Sequence, residues 1–124
     1  MANAIRIEAG DVSLAAELND SPTAAAILAA LPIEASGNRG GEEIYFSIPV
    51  TEPAAPDARA DMEVGELAYW PPGTAFCIFF GPTPVSSGEQ PRAASPVNPI
   101  GRIIDDVAAL KSLPDGVRVR IEAA

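Results

Sequence analysis

Residues 69–81 read YWPPGTAFCIFFG. Two aromatics run into a double proline and a glycine, and Ala75 to Phe80 then forms a strand with almost nothing polar in it. A strand alternates its side chains between two faces, so Ala75, Cys77 and Phe79 point one way and Phe76, Ile78 and Phe80 the other. Apolar residues on both faces need cover on both. The reading adopted is a barrel wall, with the core on one side and a binding groove of Phe76, Ile78 and Phe80 on the other. Leu67 to Trp70 is the strand before it, and Pro72-Gly73 suits the central positions of a type II turn between the two.

Outward from that stretch the chain alternates short elements with turns. Ile5 and Ile7 share a face across the turn at Gly10 with Val12, Leu14, Ala16 and Leu18, which predicts an opening hairpin. Ser21-Pro22 supplies an N-cap and a first-turn proline, Ala24, Ile27, Leu28 and Leu31 fall at helical spacing, and Pro32 stops the helix. Asn38 to Gly41 reads as a turn and Glu42 to Val50 as a strand, with Ile44, Phe46 and Ile48 on one face and Glu43, Tyr45 and Ser47 on the other. Residues 51–63 and 81–99 read as loops, the second long and rich in Pro, Ser and Gly. Pro99 to Ile104 is a short strand, Asp105-Asp106 starts a second short helix, and Val117 to Ile121 is a closing strand. The expectation is a single, mainly β domain over residues 1–124, a β-barrel or sandwich with two short helices.

Composition narrows the function. With 124 residues and 48 % hydrophobic content, the chain is long enough for a core without metal or disulfide staples. A net charge of −9 opposes both nucleic acid and an anionic membrane surface. No apolar run approaches the roughly 20 residues of a membrane span, and the N-terminus lacks a secretory signal pattern. One cysteine, Cys77, fits a reducing compartment, and a cytoplasmic protein is expected. The chain has no histidine, which removes Ser-His-Asp and Cys-His catalysis and every histidine-based metal site.

The remaining candidates are few. Tyr45 sits on the polar face of its strand beside Glu43, where packing under a loop would also account for it. Trp70 stands next to Pro71-Pro72, on which its ring has reason to stack. Glu42 and Glu43 are adjacent, hence on opposite faces, and make a poor catalytic pair. Asp57, Asp61, Glu63 and Glu66 lack the spacing of a calcium loop, so no metal and no cofactor are expected. Cys77 reads as a small core residue, because nothing cationic stands near it in sequence.

Three stretches, GGEEIYFSIPV at 40–50, VGELAYWPPGTAFCIFFGPTP at 64–84 and ASPVNPIGRI at 94–103, resemble the small prokaryotic cyclophilin-like proteins, a family of uncharacterised function. With the order of elements, the resemblance covers nearly the whole chain. It implies a closed eight-stranded cyclophilin-type β-barrel with short helices capping its ends, and a bacterial source. FCIFFG is similar to the cyclophilin strand whose paired phenylalanines divide between core and groove, which places Phe79 inside and Phe80 on the groove. VNPIGRI is similar to the strand that begins with a pocket histidine, where Val97 stands. The catalytic arginine expected around Glu43 to Phe46 has no counterpart; Arg39 precedes that strand.

The groove so implied is lined by Glu43, Tyr45, Trp70, Phe76, Ile78 and Phe80. Its expected role is a non-catalytic binding module for a proline-containing peptide or a small apolar ligand. A second expectation is an enzyme of unknown reaction in which Glu43 and Tyr45 act at the groove edge, provided Glu43 faces the same concavity as Phe80. A third is a weak peptidyl-prolyl isomerase. Homo-oligomer formation is left open.

Overall fold

The structure is a computed structural model and describes residues 3–124. Strands β1 (Asn3–Ala9) and β2 (Val12–Leu18) form the opening hairpin, joined through Gly10 at φ 58°. Helix α1 (Pro22–Ala30) follows, with the Ser21 hydroxyl accepting from the Ala24 amide at 3.2 Å. Then come β3 (Ile33–Arg39), β4 (Glu43–Ser47), β5 (Arg59–Asp61) and β6 (Glu66–Trp70). Next are β7 (Ala75–Phe79), the long β8 (Arg92–Ile103) and β9 (Val117–Ala123). A 3-10 helix at Val107–Ser112 precedes β9, and the Asp106 carboxylate accepts from Ala108 N at its start.

Every pairing is antiparallel, in the order β2-β1-β9-β3-β4-β7-β6-β8, and β2 pairs with β8 to close a ring of eight strands. Closure leaves the ring without free edges. β5 lies outside it, paired to the first half of β8. The barrel is filled by Ile5, Ile7, Leu14, Ile44, Phe46, Leu67, Tyr69, Ile100, Val119 and Ile121, among others. Phe46 and Phe76 stack there at 5.5 Å between ring centres.

Six local expectations need correction. Residues 33–39 are a strand: ASGN carries almost no strand signal, but β9 on one side and β4 on the other supply its ladder. Gly37 suits that place, since a Cβ there would lie 2.7 Å from Ile44 Cγ2. Residues 92–103 are one strand where a loop to Pro99 and then a short strand were expected. Pro96 and Pro99 disguise it, and a register shift between Leu67 and Ala68 accommodates Pro99 against β6. The predicted strand at 42–50 is regular over 43–47 alone, and the loop at 51–63 carries the short β5. Pro71–Gly73 is a 3-10 turn, with Thr74 left-handed at φ 45°.

The sixth correction bears on function. Phe76, Ile78 and Phe80 belong to the barrel interior, not to a groove. Ala75, Cys77 and Phe79 face outward, into a second apolar cluster with Met62, Ala68, Ala93 and Val97. Both faces of β7 are therefore covered. Barrel core lies beneath, and the first half of β8 with the segment around Met62 lies above.

Candidate functional site

The outer face of β4, β7 and β6 is where a concavity forms. Glu43 and Tyr45 alternate with the interior residues Ile44 and Phe46, so strand periodicity alone aims them outward. Tyr45 pairs across to Cys77 and Glu43 to Phe79, which sets Glu43, Tyr45 and Cys77 on one patch of sheet. Ala93 and Val97 come in from β8 and Trp70 from the end of β6, while Thr83, Pro84 and Val85 rise from the loop after β7. Together they enclose a pocket of about 270 Å³ whose walls are mostly apolar.

The walls are fixed in place. Trp70 Nε1 donates to Ser95 Oγ at 2.7 Å, and its ring lies so close to Gly73 that a Cβ there would sit 2.7 Å from it. The ring thus leans on the turn beside its prolines and also lines the pocket. Thr83 is buried; its hydroxyl donates to the Arg92 carbonyl and its amide donates to Ser86 Oγ at 2.9 Å. Glu42 N donates to Pro82 O at 2.8 Å, tying the loop to the start of β4. Cys77, Ala93 and Val97 are buried at the floor, whereas Tyr45, at 37 % exposure, and Val85, at 49 %, stand at the rim.

Electrostatically the site turns on Glu43. Burial pushes its carboxyl up to about 7, with the Cys77 thiol pulling weakly the other way. The thiol is driven well above its ordinary range by burial and by the Glu43 charge, so it is not a nucleophile at neutral pH. Arg92 is the cation at the rim, and its Nε donates to Asp61 at 3.0 Å. Sequence reading missed it because residue 92 fell within a presumed loop.

Arg39 and Arg102 lie elsewhere. Arg39 sits 5.2 Å from the Phe80 ring centre and donates to the carbonyls of Gly41, Lys111 and Leu113 at 2.6–2.9 Å. It seals the barrel end against the 3-10 helix. Arg102 lines a separate polar cleft with Glu17, Asn19, Glu63 and Glu66.

Of the six groove residues expected from sequence, the pocket gathers Glu43, Tyr45 and Trp70. Phe76, Ile78 and Phe80 are on the other side of the sheet, each at most 1 % exposed. Glu43 consequently does not share a concavity with Phe80. The condition set for the enzyme reading fails in that form, although Glu43 does face a concavity. Val97, at the position the resemblance gives to a pocket histidine, is part of the floor. Among the loop acids, Glu66 is bound by both terminal nitrogens of Arg59 and Asp61 by Arg92, while Glu63 and Glu66 share the cleft with Arg102.

A family model described as cyclophilin-like matches residues 3–122. The chain belongs to the cyclophilin-like family. Among solved structures, this cyclophilin-like protein is similar to a hypothetical protein from Archaeoglobus fulgidus, known from its solution structure. The two are 40 % identical, with a TM-score of 0.85, over 99 % of this chain and 95 % of that one. No curated protein matches the chain.

Proposed function

We propose that this cyclophilin-like protein is a binding module whose pocket takes one small apolar group, either the proline ring of a peptide or a small molecule of similar size. The observation that carries this reading is the pocket itself: about 270 Å³, walled by Trp70, Val97, Ala93 and Pro84 and held by hydrogen bonds on both flanks. That volume lies just below the usual span of ligand pockets, about 300 to 1,000 Å³. It suits a single ring better than an extended chain. Binding without isomerisation is supported by the cations: Arg39 is held by backbone carbonyls outside the pocket, and Arg92 is drawn toward Asp61 through its Nε.

Trp70 is the sole tryptophan, so its fluorescence reports on the pocket. Titration with an N-acetylated Ala-Ala-Pro-Ala amide is expected to give a saturable change, weaker for the same peptide with Ala in place of Pro. Ala94 lines the pocket and is exposed, so Ala94→Phe obstructs it without crowding the core. A response unchanged in Ala94→Phe, or absent with both peptides and with small apolar probes, would refute the reading.

A second reading rests on Glu43, whose carboxyl at about 7 is poised for general acid–base work beside Tyr45. It predicts turnover of a bound compound that Glu43→Gln abolishes.

A further inference from the structure

A half-buried carboxyl in the wall of an apolar pocket is an unusual thing to leave there. None of the ion pairs among the described residues includes Glu43. The other acids around the outer cluster are taken: Glu66 by Arg59 and Asp61 by Arg92. The groups facing Glu43 are Cys77 from β7, Tyr45 on its own strand and, at the rim from β8, the already paired Arg92. The thiol of Cys77 interacts with its carboxyl, but a thiol is a weak donor that leaves most of the carboxylate's acceptor capacity unused.

An ionised carboxylate in such surroundings is costly unless it meets a positive charge. A neutral hydroxyl gives it one ordinary hydrogen bond. An ammonium gives a charge-assisted bond of roughly twice the strength and cancels the charge as well. The protein's net charge of −9 also raises the local concentration of cations around the pocket mouth.

We infer that the pocket is built for a small organic ammonium, a compound with an apolar body for Trp70, Val97 and Ala93 and one amine that donates to Glu43. The inference rests on the binding-module reading and names its ligand class. The amine anchors at Oε of Glu43, and the apolar body fills the space between Trp70 and the 83–85 loop.

Three probes of one shape separate the possibilities: benzylamine, benzyl alcohol and benzoate, titrated at about pH 8 with Trp70 fluorescence or calorimetry as readout. The expected order is amine, then alcohol, then benzoate, with the amine bound about tenfold more tightly than the alcohol. In Glu43→Gln, whose fold is checked by its own melting curve, the amine falls to the level of the alcohol. Equal binding of amine and alcohol to the native protein would overturn the ammonium assignment and leave the pocket reading standing. An amine preference that survives Glu43→Gln would also overturn it, placing the effect in the overall negative field. Tightest binding by benzoate would transfer the specificity to Arg92. No binding by any probe would count against both the assignment and the pocket reading on which it rests.

Discussion

Phe79 and Phe80 are neighbours whose rings lie on opposite sides of one sheet, the first in the outer cluster and the second in the barrel. Their exposures are 0 % and 1 %, so the difference in cost expected from a core residue and a groove residue disappears. Each substitution to alanine is expected to cost about 3–5 kcal/mol, with similar falls in the urea midpoint. A Phe80→Ala protein close to the parent in stability would put that ring back on a groove.

Glu43 carries the clearest pH signature. Its folded carboxyl titrates at about 7 against an ordinary 4.5. Between those values the folded chain holds a proton that the unfolded chain has released, so stability falls as pH rises through that window. Below it both states are protonated and the effect vanishes. The loss at higher pH is on the order of 1–3 kcal/mol. Glu43→Gln is therefore expected to melt above the parent at about pH 8 and level with it near about pH 4. Parallel melting curves across this range would show that Glu43 titrates normally.

At the scale of elements, β8 does more than its composition suggests. Its first half covers the outside of β7 with Ala93 and Val97, and its second half closes the barrel against β2. Asn98, between the halves and 1 % exposed, donates to Thr23 Oγ1 and Pro53 O at 3.0 Å each and accepts from Ala55 N at 2.8 Å. It ties α1 and the 51–58 segment to the barrel. Closure depends on Gly101, where a Cβ would lie 2.0 Å from the Glu17 carbonyl oxygen and 2.9 Å from Leu18 Cα. Both are backbone atoms and cannot swing aside. Gly101→Ala is expected to cost roughly 3 kcal/mol or more. Gly88→Ala, where nothing lies within 4 Å of the added Cβ, should stay within about 0.5 kcal/mol. Comparable melting temperatures for the two variants would contradict the close β2–β8 approach.

For the whole molecule, family membership does not by itself assign an activity. The barrel is cyclophilin-like over residues 3–122, yet the pocket presents an acid, a thiol and an arginine whose Nε is drawn to Asp61, where isomerisation needs a cationic donor aimed at the amide. In a standard proline-peptide assay the protein is expected to add little to an uncatalysed exchange of tens to hundreds of seconds. Rapid turnover, lost in Arg92→Ala, would make that arginine the donor and end the non-catalytic reading.

Local chemistry determined a good part of this protein. The hairpin at Gly10, the Ser21-Pro22 helix start and the alternation of Val117, Val119 and Ile121 are each set by residues within one element. So is the division of β4 and β7 into two faces, because side-chain alternation is a property of any extended chain. The resemblance added the closed barrel. Tertiary structure decided which face of β7 is inside, since alternation names two sides without ranking them. When both are apolar, the rank depends on what arrives to cover each. It likewise made strands of 33–39 and 92–98, whose ladders come from distant partners in spite of their small, polar and proline residues. The site followed from those two decisions. Glu43, Tyr45 and Trp70 were legible as outward-facing side chains, but Cys77, Arg92, Ala93 and Val97 joined them only once β8 was folded over the sheet.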